Sequence, residues 1–169
     1  MDTFFEQIVT IRVTGKKFAG IILIWLAAIV LCTAILFASF ILKALMMLFI
    51  LLVAAILFGA YKLAQRFFVE YEYIITNGEL DVDCIIARNS RKRLITVELP
   101  DIDELGTFSE EKFAGKNFEH KYICCNEDDK ALYIIYNHPK QGKTLLVFAP
   151  NEKLQEAISK SVPRRVINL

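Results

Sequence analysis

From Phe18 to Tyr61 the chain runs for 44 residues with a single charged side chain, Lys43. Burying so long an apolar run takes a bilayer, whose hydrocarbon core of about 30 Å is crossed by about 20 apolar residues in a helix. One continuous helix of this length would reach about 66 Å, more than two crossings' worth. Two helices are therefore expected, Phe18 to Ser39 and Ala44 to Leu63, with the break between Ser39 and Lys43 and Lys43 at the outer surface. Arg12, Lys16 and Lys17 precede the first helix, and Lys62 and Arg66 follow the second. Because cytoplasmic flanks carry the excess of Lys and Arg, this pattern predicts a two-pass protein of the cell inner (plasma) membrane with both termini cytoplasmic.

A cleaved signal peptide is a poorer account. The charged leader and the 25 uncharged residues from Phe18 to Leu42 are long for one, and a second apolar segment follows at once. Ile29-Val30-Leu31-Cys32 has the outline of a lipoprotein cleavage box, but Leu31 stands where a small residue is needed. Neither helix holds Asp, Glu, Arg or His in its interior, the groups that transport and proton relay require, so the pair reads as an anchor. Ala34-x-x-x-Ala38 and Ala55-x-x-x-Gly59 allow close helix approach, within the hairpin or in a homo-oligomer.

Composition matters once this segment is set aside. Residues 1–66 carry six Lys and Arg against two acids, whereas the remaining 103 residues carry fourteen bases and seventeen acids. A domain of net charge −3 has no bulk attraction for nucleic acid, and 103 residues suffice for one small domain with its own core. The organisation expected is an interfacial N-terminal helix over 1–17, a transmembrane hairpin over 18–66 and a cytosolic domain over 67–169. The first rests on Thr3-Phe4-Phe5-Glu6, which fits a capping box, and on Phe4, Phe5, Ile8 and Ile11 sharing one helical face up to Gly15.

The cytosolic part reads as strands followed by a helix. Phe68 to Thr76 and Glu79 to Arg88 flank Asn77-Gly78, the dipeptide that supplies positive φ at both centres of a type I′ turn. A two-residue loop sets Ile75 opposite Leu80, Tyr73 opposite Val82, Tyr71 opposite Cys84 and Val69 opposite Ile86, which makes this the core face. Further strands are expected at Arg93 to Leu99, Phe118 to Cys125, Ala131 to Asn137 and Thr144 to Ala149, with turns at Asn126 to Asp129 and His138 to Gly142. Pro100 to Lys116 reads as irregular, with one short strand near Leu105 to Phe108. Asn151 caps a final helix that runs to about Ser161, ahead of Pro163, with Leu154, Ala157 and Ile158 on its apolar face.

Six or seven antiparallel strands closed by a C-terminal helix is the order of a pleckstrin-homology-like (PH-like) barrel. The run Tyr73-Ile74-Ile75-Thr76-Asn77-Gly78-Glu79-Leu80-Asp81-Val82-Asp83, with the basic stretch Arg88 to Arg93 and the apolar strand after it, resembles the start of bacterial membrane-associated PH-like domains that follow two transmembrane helices. The resemblance spans about residues 67 to 165. It implies an interaction or scaffold domain and transfers no catalytic residue. It also sets the Asn77-Gly78 hairpin, taken as the first, against the basic phosphate loop of eukaryotic PH domains; a short turn ending in Glu79 lacks that basic character.

Candidate chemistry is sparse. Gly142-Lys143-Thr144 has the ending of a phosphate-binding loop, but Asn137 stands where its first Gly belongs and a strand follows rather than a helix. The four cysteines lack Cys-x-x-Cys spacing, and in a cytosolic domain they are expected as reduced structural thiols. His120 and His138 have no partner at metal-ligand spacing. No catalytic residue, cofactor or metal site is assigned.

Two charged features stand out. Glu70, Glu72, Asp81 and Asp83 form an acidic stripe on the face opposite the tyrosines, with Glu72 set directly across from Asp83. Like charges so placed cost up to about 1 kcal/mol. Compensation by a cation such as Lys92, or a solvated face, explains the stripe before a Ca2+ or Mg2+ site or a basic partner surface does. Arg88, Arg91, Lys92 and Arg93 form a basic loop one hairpin from the membrane exit, where anionic lipid contributes about 1 kcal/mol per base. The expected function is a non-enzymatic, membrane-anchored interaction module that binds a membrane or cytosolic protein partner or the anionic inner leaflet of the lipid bilayer. The alternative is a structural or regulatory subunit of a larger membrane complex.

Overall fold

The computed structural model describes residues 4–138 and 142–168; Thr3 of the expected capping box and residues 139–141 of the expected turn lie outside them. The apolar run forms helix α1 (Gly15–Ile41) and, after a single 3-10 turn at Lys43–Leu45, helix α2 (Met46–Gln65). Both are long and apolar enough to cross a membrane. The break falls at Leu42, whose φ of −107° and ψ of 61° leave the helical region. Ala28 and Cys32 on α1 and Ala60 and Ala64 on α2 are the buried residues of the pair, so the close approach uses small side chains four apart. Ala34 and Ala55, from the two patterns picked out in the sequence, are exposed instead. Gly20 leaves room for the Phe67 ring, which a Cβ there would meet at 3.2 Å.

The segment before the helices is not helical. Phe4–Thr10 is a strand, β1, and with the residues from Glu70 onward it forms a unit separate from the helices. Its side chains alternate, with Phe4, Glu6, Ile8 and Thr10 outward and Phe5, Gln7 and Val9 inward. Over seven residues an apolar period of two and one of 3.6 overlap, and the β-branched Ile8, Val9 and Thr10 favour the extended form once a partner strand exists. That partner is β2 (Val69–Thr76), paired antiparallel from Phe4 against Thr76 to Thr10 against Glu70. Gly15, expected to end an interfacial helix, opens α1.

β1, β2, β3 (Glu79–Ile86) and β4 (Ser90–Glu98) form one sheet in that order. Asn77 and Gly78 join β2 to β3 with φ of 51° and 91°, the positive pair that a type I′ turn requires. A second sheet has the order β6 (His120–Ile123), β8 (Gly142–Phe148), β7 (Leu132–His138), β5 (Glu104–Thr107), β9 (Ile167–Asn168). It is mixed, because β6 runs parallel to β8 and β9 parallel to β5. Helix α4 (Glu152–Ser161) follows β8, and the Asn151 side chain accepts from the Leu154 amide at 2.9 Å, as an N-cap should.

The core lies between the sheets and under α4, where Tyr73, Ile75, Leu80, Val82, Ile134, Leu146, Phe148, Leu154 and Ile158 are almost wholly buried. The expected core face of the first hairpin is present at its turn end and fades to half-buried at Tyr71 and Cys84. The second sheet has a second apolar face. Tyr133, Leu145 and Val147 pack there beneath Phe108, Phe113 and Phe118, with the short helix α3 (Glu110–Phe113) as part of the cover. Burial on both faces explains why residues 131–136 and 145–149 read as unbroken apolar runs.

Candidate functional site

The two charged features of the sequence are one feature of the structure. Leu94 has no partner on β3, since Val82 pairs with Ile95 while Asp83 pairs with Arg93. This bulge shifts the phase of β4 by one residue, and side chains alternate along a strand, so Arg91 and Arg93 come to the same face as the carboxylates. Without it Asp83 would stand opposite Leu94.

A ladder of ion pairs follows. Arg88 Nε lies 3.2 Å from Glu70, Arg91 bridges Glu72 and Asp83 with its Nε 2.8 Å from the latter, and Arg93 spans Asp83 at 2.6 Å and Asp81 at 2.7 Å. Thr96 adds a hydroxyl donor to Asp81 at 2.6 Å. The side chains of Glu72 and Asp83 are only 5% exposed, whereas Arg88 is 83% exposed and Arg91 and Arg93 about half. The guanidinium groups thus lie as lids over the carboxylates. The Arg93 pKa is pushed further up, chiefly by its bond to Asp83.

Two expectations need correction. The cations beside Glu72 and Asp83 are Arg91 and Arg93, not Lys92, which stands in register opposite Cys84. Residues 91–93 lie in strand β4, not in a loop; Ala87 and Arg88, with φ of 51° and 57°, make the turn that precedes it. Asp81, Asp83 and Glu72 offer little to a divalent cation, because their oxygens already face guanidinium donors.

A second polar cluster was not foreseen. The Lys112 ammonium on α3 lies 3.0 Å from Glu104 and over the Tyr133 ring at 4.5 Å, and the Tyr133 hydroxyl donates to Glu104. Asn168 of β9 also donates to Glu104, at 3.3 Å. The bond from Tyr133, followed by that from Lys112, holds the Glu104 carboxyl below the usual range. The cluster joins α3, β5, β7 and β9 across 65 residues of chain, which no local spacing could announce.

Cys124 is buried and its thiol is pushed up to about 12 by desolvation, while Cys125 is pushed up to about 11 for the same reason; neither is disposed to act as a thiolate near neutral pH. The Tyr73 hydroxyl donates to the Cys124 carbonyl and accepts from the Ala149 amide at 3.4 Å, tying β2 to the ends of β6 and β8. His120 stacks with Tyr122, and His138 meets Tyr136 edge-on. No cluster of three or more metal-ligating side chains occurs among the described residues.

The model of a family described as Bacterial PH-like domain (DUF6106) matches residues 1–168. The match takes in β1 and both apolar helices as well as the strands after them. No curated protein and no solved structure matches the chain.

Proposed function

The chain belongs to the bacterial PH-like domain family, and from that membership and the geometry above we propose that it is a non-enzymatic, membrane-tethered interaction module whose partner is a protein. The observation that carries this reading is the ion-pair ladder. Capture of the anionic leaflet needs cations free to leave water for phosphate, and Arg88, Arg91 and Arg93 are each committed to a carboxylate of their own sheet. Three arginines face four carboxylates there, with Lys92 on the other side of the sheet, so the face attracts headgroups weakly.

The strand pairing supports a two-pass topology. β1 ends at Thr10 beside Glu70 of β2, so the segments on either side of the apolar helices meet in one sheet, which requires an even number of crossings. The positive flanks then put that sheet in the cytoplasm. A Ser90→Cys variant, exposed at the start of β4, is expected to react with a membrane-impermeant thiol reagent only after permeabilisation. Labelling in intact cells would reverse the topology.

The choice between protein and leaflet is tested with vesicles. The proposal expects no salt-dependent binding to anionic vesicles by a chain in which a short Gly-rich turn replaces residues 12–68 and keeps β1 in the sheet, and a stoichiometric protein on purification of the full chain in mild detergent. Binding that falls with added salt and with Arg88→Gln/Lys92→Gln would make the leaflet the ligand.

A further inference from the structure

The cover over the outer face of the second sheet leaves a groove. Two adjoining depressions of about 430 and 470 Å3 lie against the last residue of β6 and share Phe108, Glu110 and Ile123. Their floor is apolar: Ile123 is 51% exposed, and Phe108, Phe113 and Ala131 line the walls beside it. Their rim is acidic, with Glu110, Glu111, Glu127 and Asp129 against Lys121 alone. The acids of the first sheet are matched by arginines, but Glu110, Glu111 and Glu127 make no ion pair among the described residues. An exposed isoleucine inside a ring of unmatched carboxylates is complementary to a segment that is apolar and basic together.

The position of the groove narrows the partner. Asp129 accepts from both the backbone and the side-chain amide of Asn126, at 2.9 and 3.0 Å, which shapes the turn bearing Glu127. The Asn126 side chain also donates to the Thr10 carbonyl at 3.3 Å. Thr10 pairs with Glu70, and α1 begins and α2 ends within five residues of these two positions. The groove therefore belongs to the end of the domain that carries Thr10 and Glu70, the residues that adjoin the apolar helices in sequence. Segments that flank membrane helices on the cytoplasmic side carry the excess Lys and Arg next to apolar residues.

We propose that this groove docks the Lys/Arg-rich cytoplasmic flank of another protein's membrane helix, with an apolar side chain on Ile123 and basic ones on Glu110, Glu111 and Glu127. The proposal rests on the protein-partner reading above and names the partner's chemistry. Tethering in the same bilayer raises the effective concentration of such a segment, so a weak groove suffices.

The first test uses the full chain in nanodiscs of neutral phosphatidylcholine, with empty discs as the blank, and a fluorescent twelve-residue peptide alternating Lys with Leu and Phe. The peptide should bind, its Glu-for-Lys counterpart should not, and added salt should weaken binding. Glu110→Gln/Glu111→Gln/Glu127→Gln is expected to lower affinity about tenfold, and Ile123→Ser to a similar degree; these are surface positions, so folding should persist. Unchanged affinity in both variants would overturn the groove.

The second test places a photo-crosslinking side chain in cells at Ile123 or, on α4, at Lys153. A crosslink from Ile123 that maps to a basic segment adjoining a membrane helix, and that the triple Gln change abolishes, supports the proposal. Crosslinks from Lys153 alone overturn the groove and leave the protein-partner reading standing. None from either position overturns both.

Discussion

Arg91 is the side chain on which the first sheet's electrostatics turn. It bridges two carboxylates that are themselves almost out of water, so its loss leaves Glu72 and Asp83 buried, alike in charge and adjacent. Arg91→Gln is expected to cost about 1–3 kcal/mol, below the full penalty for a broken buried pair because the guanidinium is half exposed. Arg88→Gln, at an exposed position, should stay within about 0.5 kcal/mol. Thermal unfolding of the two variants in detergent compares them directly, and equal losses would contradict the lid role of Arg91. Glu104 gives the pH dependence. Its folded pKa lies below the unfolded one, so its contribution is present above the ordinary carboxylate range and is lost as pH falls through the lowered folded value. Glu104→Gln should therefore lower stability at pH 7 and flatten the acid limb below about pH 4. Parallel acid limbs for both proteins would show that other carboxylates carry it.

At the scale of elements, β9 is held by little: two residues in parallel register with β5, plus the Asn168 bond to Glu104. Its seat depends on Gly106, where an added Cβ would come within 2.7 Å of the Asn168 carbonyl and 2.8 Å of the Tyr133 hydroxyl. Gly106→Ala is expected to release β9 and cost about 1–3 kcal/mol through overpacking. Faster amide exchange at Ile167 and Asn168, with β7 and β8 unchanged, would register it; full protection there would mean that β5 moved instead. The elements also show what a sequence reader sees and misses. The Asn77-Gly78 turn and the Asn151 cap are written in local chemistry, so both are legible. The bulge at Leu94 and the strand character of residues 4–10 are not, because each depends on a partner strand far away in sequence.

For the molecule as a whole, the sheet takes its first strand from before the two apolar helices, and a fragment of residues 67–169 would lack β1. That fragment would expose the edge of β2 and lose Phe5, Val9 and the Gln7 side chain, which donates to the Ala149 carbonyl at 3.0 Å and accepts from the Asn151 amide at 2.7 Å. It is expected to aggregate or to unfold several degrees lower than a chain in which residues 12–68 are replaced by a short Gly-rich turn joining Ile11 to Val69. Equal melting temperatures would show β1 to be dispensable. In that arrangement the first connection of the sheet is the pair of apolar helices, so the Asn77-Gly78 turn compared with a PH phosphate loop is the sheet's second connection.

The sequence by itself determined the two long apolar helices, the hairpin at Asn77-Gly78, the final helix and the family resemblance, because each follows from hydrophobicity or turn chemistry within a few neighbouring residues. Only the tertiary structure decided that residues 4–10 are a strand, that the basic cluster lies over the acidic stripe, and that an acidic groove opens beside Ile123. Those outcomes are set by which distant strands pair and in what register, and a one-residue shift of register moves every side chain to the other face.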